Sequence, residues 1–274
     1  MMAVDPTSFL FVTLDSCRYD TFASASTPSF DRIGPTHRAM APGNYTYASH
    51  AAMFVGFTPG ISSVKEPFLN PKFGRIFKMA YPPPLHTRRD FVALQGANIV
   101  DGFVRLGYET IGTGAVGWFD PAAPTSSVLT RSFGRYFYPG DPWSLRRQVS
   151  FVKKALDDVG PRPVFVFINV GETHVPYFHL GAPWSPKENP CVPFSETNDA
   201  NECRRRQTAC LEWVDNELGQ LIECFAGANT LVCGDHGDAW GEDGVWEHGI
   251  HHDKVLEVPL LFRLANPPVE AAAT

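Results

Sequence analysis

The residues best suited to chemistry fall in one run: Val232-Cys233-Gly234-Asp235-His236-Gly237-Asp238-Ala239-Trp240-Gly241-Glu242-Asp243-Gly244-Val245-Trp246-Glu247-His248-Gly249. It begins as the end of an apolar stretch, Thr230-Leu231-Val232-Cys233, and turns into glycine, carboxylate and imidazole. A buried strand ending in Asp235-His236-Gly237 would carry one oxygen and one nitrogen ligand to the carboxyl edge of a sheet, where open α/β sheets bind ligands. His248 follows twelve positions after His236, far enough for a loop to fold back with a third ligand. A lone histidine reads as an ordinary polar side chain. Asp, His, Glu and His among glycines make poor core material and good metal-binding material.

Other stretches end in the same way. Residues 8–14 are continuously apolar and β-rich, the mark of a strand buried on both faces, and they run into Asp15-Ser16-Cys17-Arg18-Tyr19-Asp20. Asp15 is a functional candidate there, or the N-cap of a following helix. Residues 163–170 form a third buried strand, leading into Gly171-Glu172-Thr173-His174-Val175-Pro176-Tyr177. A polar loop, Gly43-Asn44-Tyr45-Thr46-Tyr47-Ala48-Ser49-His50, precedes a helix over 50–57 that Ser49 is expected to cap, so an anion held before it would sit at the positive helix end. If these strands lie parallel, their ends gather on one edge. Asp15, Asp235 and His236 then make an oxygen and nitrogen site suited to zinc, manganese or a similar divalent ion. Thr46 adds a hydroxyl, which a metal can turn into a nucleophile near neutral pH. His174 and His248 would bind a second metal, or bind and protonate the oxygens of an anionic substrate. Arg18, Asn44 and His251 are candidate substrate contacts. For Arg18 a structural salt bridge is the alternative, and for His251 a solvated loop position.

The remaining elements must position these ends. Thr27-Pro28-Ser29-Phe30-Asp31-Arg32-Ile33-Gly34 has a capping residue, a proline at N1 and a glycine stop, so it predicts a short helix. Helices are also expected over 90–106, from a cap at Asp141-Pro142 to 159, and over 203–225, with apolar residues at three- and four-residue steps. Residues 108–113 read as a strand, and 258–262 as a strand placed near an edge by Pro259. Residues 61–90 and 178–202 read as long irregular segments. The literal Gly112-Thr113-Gly114-Ala115-Val116-Gly117 is discounted as a dinucleotide motif, because Trp118-Phe119-Asp120-Pro121 follows where a helix should open. Alternating strands and helices without a repeat predict a mostly parallel sheet sandwiched by helices, as one domain over 1–274.

Composition narrows the classes. At 44% hydrophobic and 19% charged the chain is globular. A net charge of −6 without a basic block argues against nucleic acid. The first residues lack a basic segment and a long apolar one, and no run reaches the roughly 20 apolar residues of a membrane helix. The expectation is a cytoplasmic protein with no membrane partner. The six cysteines show no CxxC pair; Cys191 and Cys203 flank a polar loop and would pair only in oxidising surroundings.

The ordered set of motifs resembles the sulfatase-like branch of the alkaline phosphatase superfamily. Leu14-Asp15-Ser16-Cys17-Arg18-Tyr19-Asp20 resembles its first metal-binding segment, and Thr27-Pro28-Ser29-Phe30-Asp31-Arg32-Ile33 its next helix. Thr46-Tyr47-Ala48-Ser49-His50 with Met53 and Gly56 resembles the nucleophile segment, with Thr46 in the nucleophile's place. Leu106-Gly107-Tyr108-Glu109-Thr110, Thr173-His174-Val175-Pro176-Tyr177, Asp235-His236-Gly237 with Gly241-Glu242 and His248-Gly249, and Val258-Pro259-Leu260 resemble its later elements in order. The resemblance implies an α/β/α sandwich without a large C-terminal domain, and one or two divalent ions, zinc or manganese before calcium or magnesium. It also implies a small anionic substrate.

Departures point to the type. Threonine at position 46 has no route to the formylglycine of true sulfatases, and Gly114-Ala115-Val116-Gly117-Trp118-Phe119 lacks the family's sulfate-binding lysine. Ser16 stands where a second acidic residue is common, and His50 where the sulfatase motif has arginine. The expected activity is hydrolysis of a phosphate ester or phosphonate through Thr46. Transfer to a non-water acceptor is the alternative, and a catalytically silent relative that binds an anion or a partner is a further one.

Overall fold

The computed structural model describes residues 3–56 and 98–265. The elements run β1 (Phe9–Leu14), α1 (Tyr19–Phe22), α2 (Pro28–Asp31), β2 (His37–Met40), α3 (Thr46–Val55), α4 (Ile99–Arg105), β3 (Glu109–Gly114), α5 (Ser127–Thr130) and β4 (Arg135–Phe137). They continue through α6 (Leu145–Val159), β5 (Val164–Val170), α7 (Ala200–Cys224), β6 (Asn229–Gly234), β7 (Ala239–Trp240), β8 (Trp246–Glu247), α8 (Asp253–Leu256) and β9 (Glu257–Arg263). One sheet has seven strands in the order β2-β9-β6-β1-β5-β3-β4. Pairing from β6 through β1, β5 and β3 to β4 is parallel, while β9 is antiparallel to both β6 and β2. This is the expected α/β/α sandwich around a mostly parallel sheet.

Strand alternation explains the two cores. Along β5, Val164, Val166, Ile168 and Val170 face one side, with Val149, Val152, Leu211, Val214 and Leu218 of α6 and α7. Phe165 and Phe167 face the other, with Tyr47, Ala51 and Phe54 of α3 and Val100 of α4. Successive strand side chains point to opposite faces, so this Val/Phe alternation packs both layers at once. Each fully buried side chain of this kind contributes roughly 1.5–3 kcal/mol. On β1 the same parity sends Leu10, Val12 and Leu14 to the first core and Phe11 to the second. Thr13 and Asp15 therefore share the α3 side.

Several local expectations shift. α3 starts at Thr46, not after Ser49, with Tyr45 as N-cap. The Ser49 hydroxyl instead donates to the Asp235 carbonyl at 2.6 Å, tying α3 to the end of β6. α6 starts at Leu145, later than the Asp141-Pro142 signal. The Leu145 amide donates to the buried Glu172 carboxylate at 2.8 Å, so a distant residue does the capping. α7 begins at Ala200, where the Asp199 side chain accepts from Asn201 and Glu202. β9 lies one strand in from the edge, because the unforeseen β2 pairs along it and sets Arg38 opposite Pro259. β4 and the small β7–β8 hairpin were also unforeseen; their residues are too few to show a period. Asp15 caps no helix, since Arg18 holds the N-cap of α1.

The GxGxxG run leads only into a single 3-10 turn over Gly117–Phe119, with no α-helix at its end. A side chain at Gly112 would meet the Phe133 ring at 2.6 Å, and one at Gly114 would overlap the Phe119 side chain. These glycines make room for aromatic packing, not for a pyrophosphate. Cys191 and Cys203 are free, buried thiols. The segment 61–90 and the start of the helix expected over 90–106 lie outside the described residues. No helix among the described residues is long and apolar enough to cross a membrane.

Candidate metal and nucleophile site

β1 and β6 are neighbours in parallel, with Leu14 opposite Gly234, so Asp15 and Asp235 leave the sheet side by side. Ser16 takes a left-handed backbone (φ 57°), which turns its amide onto Asp235 Oδ1 at 3.1 Å. The His236 amide donates to the same oxygen at 2.8 Å. The Thr173 hydroxyl holds the Asp15 carbonyl at 2.6 Å, and Gln207 Nε2 holds the Ser16 carbonyl at 2.9 Å. Three strand ends are thus laced together by buried polar groups. Gly237 is needed because a side chain there would collide with the Lys254 carbonyl.

Asp15, Asp235 and His236, all fully buried, place one ligand atom each within 4.8 Å of the others. Thr46 Oγ1 lies 3.4 and 3.5 Å from the Asp15 oxygens and 3.3 Å from His236 Nε2. His236 Nδ1 contacts the Gly237 carbonyl at 3.0 Å, which places the ring proton on Nδ1 and leaves the Nε2 lone pair toward the carboxylates. Burial and then neighbouring His248 lower the His236 pKa to about 4, so the ring is a neutral ligand. Burial, then the Asp15 charge, pushes Asp235 well above the usual carboxylate range. Its Oδ2 has no hydrogen-bond partner. An orphaned, enclosed carboxylate oxygen beside a second carboxylate and an imidazole lone pair fits a divalent cation.

His236, Asp238 and His248 form a second such group. The His248 ring lies 4.5 Å from that of His236 and 5.1 Å from that of His174. His248 Nδ1 donates to Asp238 Oδ1 at 2.8 Å. Tyr177 Oη donates to Asp238 Oδ2 at 2.8 Å and accepts from Trp240 Nε1 at 2.7 Å. Burial works against a charged His248, but the Asp238 hydrogen bond and charge outweigh it and raise the pKa to about 9. His174 Nδ1 donates to the Val175 carbonyl at 2.8 Å, which leaves its Nε2 free of that bond.

The structure gathers Asp15, Thr46, Asp235, His236, His248 and His174. Asn44 joins by its backbone, its carbonyl accepting from Gly249 at 2.7 Å and drawing the nucleophile loop to the His248 loop. Arg18 takes a clamp role in place of the phosphate contact expected for it. It is 1% exposed, and its three nitrogens already meet Asp20, Glu242 and the Asp238 carbonyl. The Trp240 ring covers it at 4.1 Å. His251 is exposed, while its neighbour His252 accepts from the Lys254 amide at the start of α8. Two residues were passed over as site members. Asp238 was legible as a third acid beside Asp235-His236, and His50 stood four positions after Thr46, on the same helix face. Burial lowers the His50 pKa to about 4, so its ring is neutral.

No protein-family model and no curated protein sequence matches this chain. Solved structures do. The C-terminal periplasmic domain of phosphoethanolamine transferase EptC from Campylobacter jejuni is 14% identical, with a TM-score of 0.60 over 96% of this chain and 83% of that one. The corresponding EptC domain from Escherichia coli, in complex with Zn, is 14% identical, with a TM-score of 0.62 over 96% of this chain and 74% of that one. A protein in the alkaline phosphatase superfamily from Vibrio parahaemolyticus is 13% identical, with a TM-score of 0.56 over 96% and 61%. The described chain therefore has the fold of alkaline phosphatase and sulfatase-like domains, with its acid and histidine cluster at the carboxyl ends of the central strands.

Proposed function

We propose that this chain is a metal-dependent enzyme that cleaves phosphate esters or phosphonates, with Thr46 as nucleophile and water as the final acceptor. One observation carries the reading. The Thr46 hydroxyl, at the first position of α3, stands within 3.5 Å of both an Asp15 carboxylate and the His236 lone pair, and all three are buried. A hydroxyl serving only to fill space needs no such company. A divalent cation held by Asp15, Asp235 and His236 would lower the pKa of the hydroxyl and offset phosphoryl charge. Thr46 Oγ1 releases its proton to solvent and attacks phosphorus as the bond to the leaving oxygen breaks. His248, charged by Asp238, and His174 face that oxygen and supply its proton. The first turn of α3, whose N-cap Tyr45 makes no side-chain cap, would offer its amides to the phosphoryl oxygens. Water then attacks the phosphothreonine and restores Thr46.

The phosphoethanolamine transferases among the structural neighbours favour a second reading, in which an alcohol replaces water in the last step. The test is turnover of aryl phosphate mono- and diesters and an aryl phosphonate with added zinc or manganese, with and without candidate alcohols. Thr46→Ala should lose activity by at least about 1,000-fold while keeping the ion. Full activity in that variant sinks the nucleophile assignment. Alcohol-dependent products select the transferase reading.

A further inference from the structure

α3 lies on β1 as matched rungs. Thr46 and His50, four residues apart, share one helix face. Thr13 and Asp15, two residues apart, share one strand face. Thr46 Oγ1 meets the Asp15 carboxylate, and His50 Nε2 meets Thr13 Oγ1 at 2.8 Å. His50 Nδ1 meets the Thr46 carbonyl at 2.7 Å. Thr13 is paired in register with Asn169 of β5, whose Nδ2 donates to Thr13 Oγ1 at 3.4 Å. Asn169 Oδ1 accepts from the Ala115 amide at 3.3 Å.

The direction of this chain is set from both ends. A carbonyl only accepts, so His50 Nδ1 carries the proton that faces Thr46. In a neutral ring Nε2 must then accept, so the Thr13 hydroxyl donates to it. At the far end the Ala115 amide only donates, which turns the Asn169 oxygen toward it and the Asn169 NH2 toward Thr13. The Thr46 carbonyl fixes the tautomer and the far end agrees with it: Asn169 fills one lone pair of Thr13 Oγ1, leaving the Thr13 proton to meet Nε2. His50 is fully buried, with Phe119, Phe54 and Phe167 set edge-on around its ring. Asp235 Oδ2, at 3.6 Å from Nδ1, is beyond hydrogen-bond reach.

We propose that His50 is the positioning residue for Thr46: a one-way hydrogen-bond relay from Ala115 through Asn169 and Thr13 to the Thr46 carbonyl holds its tautomer, and it sets the height of the Thr46 hydroxyl above Asp15 and His236. The kinetic half of this proposal rests on Thr46 being the nucleophile; the relay itself does not. A displacement of about 1 Å at a reacting group costs on the order of 100-fold in rate.

The test combines nitrogen NMR of the histidine-labelled full chain with kinetics on the same aryl phosphates and phosphonate in zinc. The ring of His50 should be protonated at Nδ1 alone, opposite to the Nε2–H form that predominates for a free side chain. His50→Phe, which keeps the aromatic packing, should lose about 100-fold in kcat with KM and zinc content near wild type. His50→Asn, which returns a donor to the Thr46 carbonyl, should recover about tenfold of that loss. An Nε2–H ring overturns the relay. A His50→Phe kcat within about threefold of wild type, with Thr46→Ala inactive, overturns the positioning role. If wild type acts on none of the probes, the nucleophile reading falls and the tautomer alone decides the relay. If His50→Phe does not fold, Thr13→Val takes its place: it removes the partner of Nε2, so the Nε2 resonance should shift and kcat should fall while Nδ1 stays protonated on the Thr46 carbonyl, and no change in the Nε2 resonance or in kcat overturns the proposal.

Discussion

Replacing Asp235 by asparagine should reverse the stability order of the protein when metal is added. Asp235 Oδ1 accepts from the Ser16 and His236 amides at 3.1 and 2.8 Å, and an asparagine oxygen can keep both. Its Oδ2 has no partner at full burial, and one oxygen of the Asp235 carboxylate stands within 4.8 Å of an Asp15 oxygen. Two unit charges at that separation repel by about 3.5 kcal/mol at an effective dielectric of about 20. An unpaired buried acceptor costs about 1–3 kcal/mol more. The metal-free protein escapes part of this by keeping a proton on Asp235, the direction in which its pKa moves. A relief of about 1–3 kcal/mol remains, or roughly 3–10 °C in Tm for a chain of this size. In metal the balance turns. Wild type gains about 2.7 kcal/mol at a metal concentration 100-fold above Kd, and the variant, short of one anionic ligand, gains little. The assay is thermal unfolding of both proteins in chelator and in zinc or manganese. Asp235→Asn should melt above wild type in chelator and below it in metal. If metal raises both curves equally, Asp235 is not a ligand and the reasoning fails.

Other expectations can be checked on the same samples. Tyr177→Phe strips the group that satisfies both Asp238 Oδ2 and Trp240 Nε1, and should cost about 1–3 kcal/mol in urea unfolding. It should leave binding at Asp15, Asp235 and His236 in place; loss of all bound metal would contradict the separation of the two ligand groups. Asp20 is half-buried, and although burial opposes it, Arg18 and Lys254 hold its carboxyl well below the usual range. Because the folded pKa is depressed, this stabilisation is fully present above the unfolded value of about 3.9 and is lost as pH falls through the folded one. Asp20→Asn should therefore destabilise by about 1–2 kcal/mol at pH 7, discounted for partial exposure, with the gap closing below about pH 4. A gap unchanged at low pH would show that Arg18 and Lys254 do not act through the Asp20 charge.

Much of this was written in local order. Val-Phe alternation in β5 and the apolar run of β1 declare buried strands, and the polar residues after them declare a binding edge. The i, i+2 step from Thr13 to Asp15 is legible as well, whereas the i, i+4 step from Thr46 to His50 emerges only once α3 is seen to start at Thr46. Each legible pattern follows from the period of one element and needs no knowledge of the others. What tertiary structure decided was which element lies beside which. β2 covering β9, Glu172 capping α6, Asn169 meeting Thr13 and Arg18 closing on Glu242 join residues far apart in the chain. Local spacing carries no record of such pairings. The valence left over at the site, above all the bare Oδ2 of Asp235, is known only after every nearby donor has been assigned in three dimensions.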